Sequence, residues 1–508
     1  MADSGLPRGS ASLREAAAWS VVLTAGRVIT NAAVLLVLAA ILGPSTFGTI
    51  AIATIYVLAL QVAFQQGLTP ALISRRVVDD ETLQVAFRLS LLIAVTLAAA
   101  SWLVSDGLGE VFDDPDLPDA IRALTALLPL FALDLVPDAM ARRVSDFKFL
   151  AFKTNVSALV GGVVGVVAAF MGLEIWSLVL QQVSTAVVST ALLLVRSSWK
   201  PRLRSPWPWS RMSVSRQLLH YSGRAGLAGT AQFLSGQVDS VLAGVFFSPR
   251  VVGMYRMSGR IVATVTEVAI RSGQMSLLPD FARRRTEAHG SAEARILEIQ
   301  RVIALAGMPL FGVLAGVAFS FPSILGEEWE PAAYPLLLLS LAAVVETGLA
   351  TIAPAVQAEG RPGSLAWVNG ASLAGTVALV GVVGIVAADR ALEIQLAMIA
   401  SARLVVVAAL TAPLSVWVLR RTLGVRTLAY LGAIVPGGLI ASAAIIAGLT
   451  AHTWAAQHSV TPLLELLAAG ASGGAATVGG YAIFWRTFLL SRMREAVKAV
   501  PKSSSRVE

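Results

Sequence analysis

Cysteine is absent from this 508-residue sequence. Without a thiol there is no disulfide framework and no thiolate to hold a metal or attack a substrate. Histidine is almost as scarce. His220, His289, His452 and His458 are the four present, and they form no ligand-spaced cluster. The closest pair, six residues apart, would not share a helical face. Charge is the third shortage: Asp, Glu, Lys and Arg make up 14% of the chain, against roughly 25% in soluble globular domains. That is too little polar surface to coat a water-soluble body of this size. Also missing are a Gly-Lys-Ser/Thr phosphate loop and a polar stretch long enough to house a nucleotide site. A soluble enzyme with one anchor is therefore excluded. No cofactor and no metal site are expected, and the protein is not expected to be an enzyme.

What the chain has instead is apolar length. It is 56% hydrophobic with a mean hydropathy of +0.74. Runs of about 20 apolar residues, enough for a helix to cross a bilayer, recur from end to end. About fourteen spans are predicted: 14–42, 46–73, 83–105, 119–141, 149–171, 174–195, 216–246, 251–279, 296–321, 332–358, 363–387, 392–418, 428–450 and 462–487. The first run is too long for a signal peptide and has no cleavage site after it, so it is expected to stay in the membrane. The predicted fold class is an all-α polytopic membrane protein: two six-helix lobes around a central cavity, plus two C-terminal helices.

The basic residues set the orientation, because Lys and Arg remain cytoplasmic during insertion. With the N-terminus and the even-numbered loops inside, 30 of the 39 Lys and Arg are cytoplasmic. The opposite face receives Arg122, Arg250 and Arg390, and carries the acidic runs Asp113-Asp114-Pro115-Asp116 and Glu327-Glu328-Trp329-Glu330. Both termini are expected to be cytoplasmic. The basic residues thus follow membrane topology, and no nucleic-acid partner is expected. Trp19, Trp102, Trp176, Trp329, Trp417, Trp454 and Trp485 fall near span ends, where an indole can bury its ring and keep its N–H wet.

The division into lobes rests on a linker and a repeat. Residues 196–215 are basic and rich in Pro, Ser and Trp, and separate an N-lobe (1–195) from a C-lobe (216–418). Spans thirteen and fourteen (419–490) and a basic tail (491–508) lie outside the duplication. The turn Gly43-Pro44-Ser45-Thr46-Phe47-Gly48 has a near-copy in Ser248-Pro249-Arg250-Val251-Val252-Gly253: Pro44 matches Pro249 and Gly48 matches Gly253, both 205 residues on. Each closes the first hairpin of its lobe. Repeats of this kind build many transporters, with the binding site between the halves.

Polar groups inside spans mark the expected cavity, since an ionisable side chain at mid-bilayer costs at least about 2.5–3.5 kcal/mol unless it is wet or paired. At 100° per residue, Arg224, Gln232, Ser235 and Asp239 fall within an arc of about 80°, and Arg256, Arg260, Glu267 and Arg271 within about 60°. Arg27 and Asn31 lie one turn apart in span one, Gln61 and Gln65 in span two, Asp134 and Asp138 in span four. Span ten holds Glu346 and Gln357, and span twelve Arg403. The substrate-cavity candidates are Arg27, Asn31, Arg224, Gln232, Asp239, Arg256, Arg260 and Arg271; the coupling-ion candidates are Asp134, Asp138, Glu267 and Glu346. Several have plainer readings. Arg256 can snorkel to the nearby interface, Asp138 can clasp Arg142, and Glu267 can neutralise Arg271. Guanidinium matches phosphate in geometry and charge, which favours a phosphate-bearing anion over an organic cation as substrate.

At Leu42-Gly43-Pro44-Ser45-Thr46-Phe47-Gly48, Gln66-Gly67-Leu68-Thr69-Pro70-Ala71-Leu72-Ile73, Val238-Asp239-Ser240, Val252 to Arg260 and Leu325 to Ala332, the chain resembles the bacterial polysaccharide (O-antigen, Wzx-type) flippases of the multidrug/oligosaccharidyl-lipid/polysaccharide exporter superfamily. The likeness covers most of residues 14–420. It implies alternating-access transfer of undecaprenyl-pyrophosphate-linked oligosaccharide across the bacterial cytoplasmic membrane, for exopolysaccharide, capsule or cell-wall glycan. A polysaccharide polymerase and glycosyltransferases are the partners it implies. An ion-coupled multidrug exporter of the same superfamily is the alternative. A membrane glycan polymerase or ligase is a second alternative, and would need a larger outer loop than the chain has.

Overall fold

The computed structural model describes residues 10–75, 78–144, 146–202, 223, 226–227, 229–267, 292–359, 361–458 and 460–499, with side chains placed from Thr30 to Arg486 apart from a few positions. The protein is an all-α polytopic membrane protein, and no strand occurs among the described residues. In chain order the helices are α1 (Ser10–Ser74), α2 (Asp80–Val111), α3 (Leu117–Thr125), α4 (Leu128–Arg143), α5 (Phe147–Phe170), α6 (Ile175–Arg196), α7 (Val238–Phe246), α8 (Pro249–Thr266) and α9 (Ala292–Gly316). They continue with α10 (Ala333–Thr347), α11 (Ile352–Ala358), α12 (Pro362–Ala387), α13 (Leu392–Val405), α14 (Ala412–Leu423), α15 (Thr427–Gln457) and α16 (Pro462–Ala499).

Eleven segments among the described residues are long and apolar enough to cross a membrane, and one of them, Thr30–Ile73, holds both arms of α1. They correspond to the predicted spans other than the seventh and eighth, which run partly through residues outside those described. The loop expected at 43–45 contracts to one residue. Gly43 takes φ 72°, ψ 168° between two helical arms, a conformation open to glycine. Pro44 then starts the second arm, where its missing N–H breaks no helical bond. The predicted fourth span is two helices. α3 stops at Thr125, and α4 restarts with Pro129 in its first turn. The tenth is likewise broken, between Thr347 and Ile352.

The chain divides into two compact units, one of residues 1–264, 325–332 and 373–402, the other of 265–324, 333–372 and 403–508. In the first unit the core runs through Leu68, Leu72, Phe87, Leu117, Ile121, Leu124, Leu128 and Leu135, all buried. α5 and α6 approach closely because Gly161 and Gly165 face α6. A Cβ on Gly161 would fall 1.9 Å from Thr185 Oγ1, and one on Gly165 2.8 Å from Gln181 Cβ. Trp329 is no interfacial anchor: it is 1% exposed, donates Nε1–H to Ala39 O at 3.0 Å, and meets the Phe47 ring edge-on at 5.8 Å. Its 3-10 helix, Glu327–Ala332, also accepts a bond from Ser258 Oγ of α8 at Ala332 O, 3.0 Å. The acidic run expected as an outer loop is thus partly a plug joining α1 to α8.

The two copies of the repeated turn meet within this unit. A Cβ on Gly48 would lie 1.8 Å from Pro249 O and 3.0 Å from Gly253 N; a Cβ on Gly253 would lie 1.8 Å from Pro44 O and 2.9 Å from Gly48 N. The contact is reciprocal, each copy's glycine against the other copy's proline carbonyl, as in a two-fold interface.

In the second unit α9 and α15 pack through small residues. Gly312 and Gly316 of α9 face Ala441, Ala444 and Gly448, and Gly437 faces Ala304, so the backbones approach as small residues allow in a membrane. The α10–α11 break is braced by a buried polar network. Gln300 Nε2 donates to Thr347 O (3.0 Å), Thr351 Oγ1 donates to Gln300 Oε1 (2.7 Å), and the Tyr430 hydroxyl lies 2.8 Å from Gly348 O and 3.1 Å from Gln300 Oε1. The opened helix frees those carbonyls, and α9 and α15 satisfy them.

Candidate functional site

A cavity of about 610 Å³ opens inside the first unit, walled by α1, α4, α5, α6 and α8. Its volume is within the range of small-molecule sites, and its lining carries many polar and charged side chains. Each wall is a helical stripe. Thr54, Gln61, Gln65 and Thr69 line it from the second arm of α1; Gln181, Gln182, Thr185 and Ser189 from α6; Asp134, Asp138 and Arg142 from α4; Lys153, Thr154 and Ser157 from α5; Arg256 and Arg260 from α8. Asn31 lines it from the first arm of α1.

The charges divide by their partners. Asp138 accepts from Arg142 Nε at 2.5 Å and from Lys153 Nζ at 3.3 Å, so the clasp expected with Arg142 includes a second cation. Asp134, one turn earlier, has its Oδ1 buried and without a hydrogen-bond partner. Arg256 Nη1 donates to a neutral acceptor, Gln237 Oε1. Neither Arg256 nor Arg260 is within salt-bridge distance of a carboxylate among the described residues, and Arg260 is exposed to the cavity. The α8 wall therefore presents two guanidinium groups one turn apart; among the described residues Asp239 acts on Arg256 through its charge, beyond salt-bridge distance.

The other candidates lie elsewhere. Asp239 is buried outside the cavity lining, where it accepts from the Tyr255 hydroxyl at 2.7 Å and from Ser240 N at 2.8 Å. It ties α7 to α8. The stripe expected through Gln232 and Asp239 is interrupted, because residues 236–237 leave the helix before α7 begins at Val238. Gln232 is exposed and does not line the cavity. Glu346 belongs to the second unit and accepts from Arg403 Nη2 at 2.9 Å. Glu267, also of the second unit, directly follows α8. Arg27 lies on the described backbone of α1, but its side chain is outside the described residues, as are Arg224 and Arg271 entirely. Sequence reasoning passed over Gln181, Gln182, Thr185 and Ser189. The one-turn spacing of Gln181, Thr185 and Ser189 is the same signal that marks Gln61 and Gln65.

A membrane-spanning helical bundle around a polar cavity has the architecture of a carrier. The family model described as "Polysaccharide biosynthesis protein" matches residues 37–334, and the chain belongs to that family. It is 26% identical over 352 residues to the succinoglycan biosynthesis transport protein ExoT of Rhizobium meliloti (strain 1021), covering 69% of this chain and 70% of that one. It is 20% identical over 347 residues to the lipopolysaccharide biosynthesis protein WzxC of Escherichia coli (strain K12), covering 66% and 68%. Among solved structures, the lipid II flippase MurJ in an inward closed conformation shares the fold, with a TM-score of 0.68 at 9% identity over 92% of this chain and 100% of that one.

Proposed function

We propose that this protein moves undecaprenyl-pyrophosphate-linked oligosaccharide across the cytoplasmic membrane by alternating access, for export of an exopolysaccharide, capsule or cell-wall glycan. The observation that carries the substrate class is the pair Arg256 and Arg260, which line the cavity without a carboxylate in contact among the described residues. Planar guanidinium groups one turn apart suit a diphosphate, which offers paired oxygens to each fork. The relatives named for succinoglycan and lipopolysaccharide biosynthesis support the glycan end of the substrate. Arg27 and Arg224 are assigned to the same cationic lining on their sequence phase, and Asn31 to its polar rim.

The positive-inside distribution supports a cytoplasmic-membrane location with both termini inside. The repeated turn supports an N-lobe of 1–195 and a C-lobe of 216–418, with 419–490 appended. A polymerase and glycosyltransferases would supply and consume the cargo. Asp134 favours coupling to protons, because its unpaired buried oxygen suits a neutral carboxyl; the same feature favours the second reading, an ion-coupled multidrug exporter. The deciding experiment is gene deletion with complementation. Loss of the gene traps lipid-linked oligosaccharide on the inner leaflet. Arg260→Ala fails to restore surface glycan while its membrane abundance is normal. Unchanged surface glycan in the deletion strain, with altered drug resistance, would replace the flippase reading with the exporter.

A further inference from the structure

The cations of the cavity have a place in the proposed function, but its uncharged polar surface has none. That surface is the face shared by the second arm of α1 and α6, which carries four glutamines, Gln61, Gln65, Gln181 and Gln182. The two helices are joined across the cavity wall by Gln182 Nε2, which donates to Thr54 Oγ1 at 3.0 Å. Gln61 Nε2 donates to Gln65 Oε1 at 3.2 Å. Each amide has two N–H donors and an oxygen with two lone pairs, so these bonds fill a minority of the available positions. Among the described residues, no partner engages the Gln181 amide, the Gln182 oxygen or the Gln61 oxygen.

A wall of uncharged groups, donors and acceptors side by side, has a definite complement. It does not select an anion, which would use only the donors, nor a cation, which would use only the acceptors. An apolar ligand would leave the remaining amide positions unpaired. A polyol fits, because each hydroxyl both donates and accepts. Resting on the transport reading above, we infer that the α1–α6 amide wall is a glycan-binding subsite, with Gln181 and Gln182 as its specificity-determining residues. It takes the neutral sugar ring next to the diphosphate, while the α8 guanidinium pair takes the diphosphate itself. Selection then works by the penalty of unpaired amides when an undecorated lipid occupies the cavity.

The test is direct binding to the purified full chain in nanodiscs, read by native mass spectrometry. One probe is undecaprenyl pyrophosphate. The other is the undecaprenyl-pyrophosphate-linked oligosaccharide extracted from a producing strain deleted for this gene. The wild type binds the glycan-bearing lipid at least about tenfold more tightly, the discrimination expected of one or two hydrogen-bonded groups. Q181L combined with Q182L keeps side-chain bulk, removes that preference, and binds undecaprenyl pyrophosphate within about twofold of the wild type. A double variant that retains the preference overturns the inference. So does a wild type that binds both lipids equally, a result that leaves the flippase reading standing. A wild type that binds neither lipid removes both. Should the double variant bind neither, its fold is the fault, and Q61L on the facing helix carries the same test with the same two outcomes.

Discussion

The reciprocal glycine contact makes Gly253→Ala a sharp test of how the repeated turns work. The added Cβ would lie 1.8 Å from Pro44 O and 2.9 Å from both Gly48 N and Pro44 C. An unstrained carbon-to-carbonyl-oxygen contact is about 3.3 Å or more, so the deficit is about 1.5 Å. All three opposing atoms are backbone, and no rotamer change relieves them. The two turns must separate, or the state that joins them must lose stability. Overpacking by a methyl costs about 1–3 kcal/mol in well-packed sites. A clash against rigid backbone belongs at the upper end, and about 3 kcal/mol is roughly a 150-fold shift in population.

The naturally cysteine-free chain allows the shift to be read directly. Ser45 and Arg250, both exposed and one in each turn, accept spin labels after single cysteine replacement. Pulsed electron resonance on Gly253→Ala should show a longer label-to-label distance than in the otherwise wild-type protein. Transport should fall at least about tenfold, in line with the population shift. Gly48→Ala, whose Cβ meets Pro249 O at the same 1.8 Å, should behave alike, and the double variant should add little, because both substitutions act on one contact. An unchanged distance distribution and normal transport in both single variants would refute the argument.

Other consequences are simpler to test. Tyr430→Phe deletes the hydroxyl that lies 2.8 Å from Gly348 O, leaving a buried carbonyl at the α10–α11 break unsatisfied; it should destabilise the protein by about 1–3 kcal/mol, measured as a lower melting temperature in detergent with lipid binding unchanged. Asp134→Asn should leave the melting temperature close to wild type, because Asp134 Oδ1 has no hydrogen bond to lose, yet should abolish proton-dependent transport. Asp138→Asn, by contrast, leaves Lys153 and Arg142 without their shared carboxylate, and should lower the melting temperature.

The legible part of the fold was the part set by length and periodicity. Apolar runs announced the spans, and Pro44 with Gly48 announced a turn that recurs 205 residues later. What sequence could not show was that the two copies touch. Repetition carries no information about contact, and the glycine requirement became visible only as a missing 1.5 Å. Helix interiors were misread where local breaks compete with hydrophobic runs. Ala126–Leu127 and the stretch after Thr347 look continuous by hydropathy, yet Pro129 and Pro354 each fall in the first turn of the helix that follows the break. Trp329 was misplaced for a related reason. An indole in an acidic loop next to a span reads as an interfacial anchor, but Ala39 O offers its N–H a buried acceptor.

The same limit governs the charges of the α7–α8 hairpin. As one continuous helix, residues 224–239 would align Asp239 with Arg224. The break at 236–237 resets that phase. Asp239 then turns to Tyr255 and Ser240 within the hairpin, which holds α7 against α8 and so fixes the register in which Arg256 and Arg260 face the cavity. A carboxylate engaged in this way stays beyond salt-bridge distance of Arg256 while still acting on it through its charge. Asp138 shows the opposite arrangement, one acid holding two cations on the α4–α5 wall. Counting signs along the sequence gives both regions the same mixed charge. Only the pairing separates them: an α4–α5 wall whose acid and bases are in salt-bridge contact, and an α8 wall with no carboxylate at salt-bridge distance among the described residues.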